Sequence, residues 1–191
     1  MFDTNLIVVD NFYEDPDKVR EIALSQEFDT FGPYPGGRTQ PFMVESVENA
    51  VQNLVYPHGG FVTDWNVNYA NGTGRFQITT KGMKSWIHFD DFRNTNWGGV
   101  LYLTPNAPVS GGTAFFKSPV DGSLIGTRDN LPKHKSIKYD YSKWEVVAQV
   151  GNVYNRLILF RSNQWHSAME YFGDSYETGR LTQVFFLSTE R

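Results

Sequence analysis

The stretch Ser85-Trp86-Ile87-His88-Phe89-Asp90 decides how this chain is read. In a helix His88 and Asp90 would diverge around the cylinder. In an extended strand the side chains at i and i+2 leave the same face, so the two would converge while Phe89 and Asp91 point away. Trp86 and Ile87 are bulky and apolar, which fits a strand end at the edge of a core. Outward from here the same alternation recurs, and strands are predicted at 65–69, 75–80, 86–89, 100–103, 113–116, 146–148, 156–160, 167–170 and 181–188. Many short strands separated by Gly and Asn turns imply a sandwich or barrel, and a jelly roll suits them.

Ahead of residue 65 the pattern differs. Residues 5–9 read as a short strand, and Asp15-Pro16 supplies an N-cap and a first-turn proline for a helix that buries Val19, Ile22 and Ala23. Val47, Ala50, Val51, Leu54 and Val55 recur at helical spacing, so a second helix is expected to end before Pro57, both helices backing the sheet. Between them, residues 28–38 are too rich in Gly, Pro and aromatics for either period and read as a loop, a rim or lid. Residues 117–144, with interleaved lysines and tyrosines, read as an inserted loop. One domain over 1–191 is expected, with residues 1–64 supporting a jelly-roll core at 65–188.

Composition narrows the function classes. A net charge of -4 without a long basic run gives no footprint for nucleic acid or an anionic membrane. No segment approaches the roughly 20 apolar residues of a membrane span, and the first ten residues lack the features of a signal peptide. The expectation is a soluble, cytoplasmic protein of bacterial or viral origin. With no cysteine, any metal must be held by His and carboxylate.

Alone, His88 and Asp90 read better as a surface ion pair. A third ligand would complete a two-histidine, one-carboxylate face, the arrangement of non-haem Fe(II) oxygenases, which leaves three metal positions open. His166, opening the strand after the apolar run Leu157-Ile158-Leu159-Phe160, is the candidate; its other reading is a core histidine bonded to a backbone carbonyl. Arg180 and Thr182 share one face of the final strand. An arginine projecting into a barrel needs an anion, and a guanidinium with a neighbouring hydroxyl suits a carboxylate. A salt bridge to one of the protein's own acids would serve Arg180 as well.

Together, His88-Phe89-Asp90, Leu101-Tyr102-Leu103 with the later Gly111-Gly112-Thr113-Ala114-Phe115-Phe116, residues 157–160 leading to His166, and Gly179-Arg180-Leu181-Thr182 resemble the Fe(II)/2-oxoglutarate-dependent dioxygenases, particularly the prolyl-hydroxylase-like branch, over roughly residues 65–188. The resemblance implies a mainly β fold with a few flanking helices, a double-stranded β-helix of the jelly-roll, cupin-like kind. It implies iron ligation by His88, Asp90 and His166. Arg180 and Thr182 would hold the distal carboxylate of 2-oxoglutarate, and Tyr102 either helps hold that co-substrate or is a core aromatic. It further implies O2 as oxidant and hydroxylation of a peptidyl (proline-like) or small-molecule substrate with release of succinate and CO2. Two alternatives stand beside it: a cupin-like hydrolase or isomerase without 2-oxoglutarate, and a metal-free jelly-roll binding protein. Oligomeric state is left open.

Other residues rank lower. Gly111-Gly112 reads as a hairpin turn, since no helix follows to bind phosphate. His58 is expected in an exposed turn and His134 on a solvated loop. Asp91 and Arg93 either orient the ligand pair or form a local surface pair. Gln77 and Asn68 sit on predicted strands near the expected cavity without an assigned role.

Overall fold

A computed structural model describes residues 4–67, 72–90 and 95–191. Asn68, Asp91 and Arg93 therefore lie outside the described residues, as does part of the strand predicted at 65–69. β1 (Leu6–Val9) leads to α1 (Pro16–Leu24). The Asp15 carboxylate accepts a hydrogen bond from the Lys18 N–H at 3.0 Å, and Pro16, having no N–H, occupies a position where none would be bonded. α2 (Glu45–Gly59) buries Val47, Val51 and Val55. It does not stop before Pro57, as the sequence suggested. A proline in the last turn removes only one internal hydrogen bond, and the helix closes instead at Gly60, which adopts φ 89° and donates to the Tyr56 carbonyl at 3.0 Å.

The residues read as an irregular loop at 28–38 contain an antiparallel pair, β2 (Thr30–Gly32) and β3 (Tyr34–Pro41). Their Gly and Pro content hides the strand period because backbone pairing to the sheet, not side-chain alternation, holds this edge. β4 (Phe61–Asp64) precedes the place where a strand was predicted; Trp65, Asn66 and Val67 are not in strand. β5 (Arg75–Thr79) and β6 (Trp97–Tyr102) follow, flanking a segment in which His88 makes a single bridge where the sequence suggested a strand at 86–89.

Beyond β6 the chain turns at Val109–Gly111 into β7 (Thr113–Lys117), then continues as α3 (Leu131–His134), β8 (Glu145–Val150), β9 (Leu157–Arg161), β10 (His166–Ala168) and β11 (Arg180–Glu190). The larger sheet runs β1-β9-β6-β11-β5-β3-β2, with β4 paired to the far end of β11, and the smaller runs β10-β7-β8. Thus Gly111-Gly112 is not a hairpin turn. It carries the chain from the larger sheet to the smaller, and a Cβ at Gly112 would lie 1.9 Å from the Val150 carbonyl oxygen. The two antiparallel sheets form the double-stranded β-helix that the family resemblance implied.

Side-chain parity sorts the interior into layers. On β11, Leu181, Phe185 and Leu187 face α1 and α2, joining Phe76, Ile78, Leu101, Leu157 and Leu159 in one apolar cluster. Between the sheets lie Tyr102, Phe115, Val150, Ile158 and Phe160. A third cluster, Ile87, Ala114, Phe116, Trp144 and Trp165, sits on the outer side of the smaller sheet under residues 117–144. That segment is therefore more than a loop. His134, expected on a solvated surface, is 1% exposed, bonded to Ser118 Oγ at 2.6 Å and to the Asn130 carbonyl at 2.7 Å, with Trp165 at 4.5 Å between ring centroids. His58 likewise lies within α2, partly buried, with Nδ1 2.8 Å from Thr4 Oγ1.

Gln183 is a buried polar residue on the helix-facing side of β11. Its Oε1 accepts from the Tyr13 hydroxyl at 2.7 Å and its Nε2 donates to the carbonyls of Phe42 at 2.8 Å and Gly74 at 3.2 Å. Gln183→Leu leaves those partners unsatisfied, so a loss of about 1–3 kcal/mol is expected by chemical denaturation. An unchanged midpoint would show that the clamp contributes nothing.

Candidate metal centre

His88 and His166 are held opposite one another by two reciprocal backbone hydrogen bonds, His88 N to His166 O at 3.0 Å and His166 N to His88 O at 2.7 Å. In an antiparallel bridge directly opposed residues project to one face, and the imidazole centroids stand 4.4 Å apart. Asp90 is anchored two residues on by its N–H to the Ser162 carbonyl at 2.8 Å. Its Oδ1 lies 3.8 Å from His88 Nε2 and its Oδ2 lies 3.5 Å from His166 Nε2. The three residues offer ligand atoms all within 4.8 Å of one another. Metal–ligand bonds of ~2.1 Å place neighbouring octahedral ligands ~3 Å apart, so small side-chain rotations would close this triangle on one cation.

The tautomers suit that role. His88 Nδ1 meets the Trp86 carbonyl at 2.9 Å and His166 Nδ1 meets the Gln164 carbonyl at 2.8 Å. A carbonyl only accepts, so each Nδ1 carries a proton and each Nε2 is the ring nitrogen turned toward Asp90. Although 37% of the His88 side chain is reached from the cavity, enclosure and then the neighbouring His166 imidazole push its pKa down to about 4. Gly98 on β6 makes room for the carboxylate: a Cβ there would lie 2.9 Å from Asp90 Oδ2 and 3.0 Å from the Phe160 ring.

Arg180 and Thr182 line the same cavity. Arg180 is 6% exposed and donates from Nε to the Gly111 carbonyl at 2.8 Å, which fixes the guanidinium. The alternative of a salt bridge to one of the protein's own acids is not seen among those residues. Tyr102 stands behind this pair instead of lining the cavity. Its ring centroid is 5.4 Å from the guanidinium carbon and its hydroxyl donates to Thr113 Oγ1 at 2.8 Å, while Thr113 itself faces the cavity. Burial raises the Tyr102 pKa against the opposing pull of Arg180 and Thr113, so the phenol stays protonated.

The structure also brings Arg38, Gln77, Tyr34, Trp86 and Tyr171 to this cavity, the first of them unassigned by the sequence. Read as strand instead of loop, Tyr34 and Arg38 fall on one face, and that parity is the signal for Arg38. A wider cavity bordered by Trp86, Tyr139, Tyr141 and Tyr171 adjoins the first through Ser85, Trp86, Ala168 and Tyr171, so the 117–144 segment contributes to the entrance. His58 and His134 lie elsewhere. No helix among the described residues is long and apolar enough to cross a membrane.

A family model described as a family of unknown function (DUF6445) matches residues 2–187. No curated protein matches the chain. Among solved structures, HygX from Streptomyces hygroscopicus with nickel and 2-oxoglutarate bound aligns at TM-score 0.67 and 13% identity, covering 97% of this chain and 83% of that one. SnoN, a non-heme alpha ketoglutarate dependent epimerase from nogalamycin biosynthesis, aligns at 0.61 and 13%, covering 97% and 78%. A prolyl hydroxylase from Trichoplax adhaerens, in complex with a hypoxia inducible factor oxygen degradation domain peptide fragment, aligns at 0.54 and 12%, covering 96% and 84%. At these identities the likeness shows the double-stranded β-helix fold.

Gly98→Ala tests how closely β6 fits the carboxylate. The added methyl should displace Asp90 and lower Ni(II) affinity by roughly 10–100-fold, the usual cost of disturbing the support of a metal ligand. Calorimetric titration of the folded variant with wild-type affinity would show that Gly98 is not needed for the site.

Proposed function

The chain belongs to the family of unknown function DUF6445, and from that premise we propose that it is an Fe(II)- and 2-oxoglutarate-dependent oxygenase, acting on a small molecule or a peptide side chain such as proline. One observation carries the reading. Three ligand atoms, two of them Nε2 atoms turned toward Asp90, share a cavity with an arginine that has no carboxylate partner among the described residues. A hydrolytic metal site would need the first feature and not the second.

His88, Asp90 and His166 would hold iron, and Arg180 with Thr182 would hold the distal carboxylate of 2-oxoglutarate. When bound, the pair supplies oxidative decarboxylation to succinate and CO2, coupled to oxygen insertion into a substrate C–H bond. The chain's own contribution is positional. The Trp86 and Gln164 carbonyls fix both imidazoles, and the Gly111 carbonyl fixes Arg180. Phe160 and Val184 keep that part of the cavity apolar, which strengthens every charge interaction within it. The neighbours support this reading in kind: HygX has been seen with nickel and 2-oxoglutarate bound, and SnoN is an epimerase, so the same fold hosts more than one outcome after the co-substrate is consumed.

Anaerobic addition of Fe(II) and then 2-oxoglutarate should produce a visible metal-to-ligand charge-transfer band, and aerobic incubation should form succinate. A folded, iron-loaded protein that gives neither would sink the proposal. Arg180→Ala should retain metal binding while weakening 2-oxoglutarate by about 10–100-fold, the worth of a charge-assisted hydrogen bond of roughly 1.5–3 kcal/mol. Unaltered co-substrate affinity in that variant would remove Arg180 from the role.

A further inference from the structure

Arg38 is the second arginine of the cavity, and its surroundings are built around it. It is 6% exposed. Gln77, facing it across the β3–β5 pair, is oriented by its own Nε2–H donating to the Pro35 carbonyl at 2.7 Å, which turns Oε1 toward the guanidinium. That single oxygen accepts from both Arg38 Nε at 3.1 Å and Nη2 at 2.9 Å. The Tyr34 ring covers one face of the guanidinium, 3.8 Å from its central carbon. Arg38 Nη1 is buried and has no hydrogen-bond partner among the described residues. Burial pushes the Arg38 pKa down to about 10, which still leaves a full positive charge at neutral pH.

A buried cation with a free donor is costly unless an anion meets it. Asp90 is the only carboxylate among the described lining residues; it is near enough to be felt by Arg38 but forms no ion pair with it. Charge counting points the same way, resting on the oxygenase reading given above. A divalent metal, Arg38 and Arg180 together exceed the charges of Asp90 and a dicarboxylate co-substrate by one.

We propose that Arg38, held by Gln77 and Tyr34, anchors a carboxylate of the primary substrate, at a subsite separate from the co-substrate arginine Arg180. The two guanidiniums come from different strands, β3 and β11, and each has its own fixing acceptor, Gln77 Oε1 for one and the Gly111 carbonyl for the other. The substrate would accordingly be a carboxylic acid or a chain bearing one, and its neutral amide or ester would bind poorly.

Acetate is the probe, and the arginine and glutamine side-chain resonances of the Zn(II)-loaded protein are the readout. With 2-oxoglutarate saturating, acetate should shift the Arg38 Nε–H and Gln77 side-chain amide signals saturably, acetamide should not, and the Gln77 shift should vanish in Arg38→Gln. Unmoved Arg38 and Gln77 signals would overturn the proposal. So would a Gln77 shift that survives in Arg38→Gln, because acetate would then be sitting elsewhere, on the metal for instance. The oxygenase reading fails separately, if 2-oxoglutarate does not shift the Arg180 Nε–H signal; the acetate response of Arg38 is then measured on the metal-loaded protein alone.

Discussion

The antiparallel pairing of β11 between β5 and β6 is the constraint on which the rest depends. Thr182 is registered to Gln77 on one side and to Tyr102 on the other, Arg180 to Thr79 on β5, and Val184 to Val100 on β6, so each of these inward residues has a fixed neighbour. A slip of one residue would turn Leu181, Phe185 and Leu187 into the cavity and force Arg180 and Thr182 among the helices. Fully burying side chains of that size is worth roughly 1.5–3 kcal/mol each. The apolar outer face thereby sets the register, and the register positions the polar inner face. Position in the site is thus secured by residues that never touch it.

Directly opposed residues across an antiparallel sheet share a face, so Tyr102, Thr182, Gln77 and Arg38 form one row across β6, β11, β5 and β3. The row grades from core to edge. At its β6 end a phenol is fully enclosed and works through Thr113; at its β3 end a guanidinium meets the cavity beneath Tyr34. The metal-ligand triangle lies across from this row, on the bridge between His88 and His166. The candidate ligand atoms and the two arginines therefore line one cavity, and on the proposed reading a dicarboxylate would be held between the metal and Arg180.

Where side-chain pattern and burial coincide, the sequence was readable. The strands at 75–79, 113–117, 157–161 and 180–190 and the Asp15 cap follow from parity and turn chemistry, while the grouping of His166 with His88 and Asp90 was legible only through the family resemblance. Legibility fails where backbone or tertiary contacts override local signals. Pro57 was read as a stop, yet a proline near a helix C-terminus forfeits little. His134 sits among lysines in sequence, but packing of Trp144 and Trp165 beneath the 117–144 segment buries it. The β2–β3 pair carries Gly36 at φ 75°, whose added Cβ would meet the Ile78 carbonyl oxygen at 1.9 Å. Such close approach selects glycine and erases the hydrophobic alternation by which a strand is recognised.

This last case has a functional consequence. His166 opens β10 and Arg180 opens the central strand β11, parts with regular pairing and strong burial, whereas His88 and Asp90 come from the single-bridge segment between β5 and β6. Arg38, Tyr34, Trp86 and Tyr139 come from β3, next to the sheet's edge strand β2, from the single-bridge segment and from the insert, where pattern is weakest. With only the short β2 beyond it, β3 can change its side chains without disturbing the register of β11. On the oxygenase reading proposed above, the co-substrate arginine would rest on a strand that folding fixes, while the choice of substrate would fall to residues that folding constrains less. On that reading a few spaced residues suggest the reaction class, while the substrate is suggested only by the geometry around Arg38.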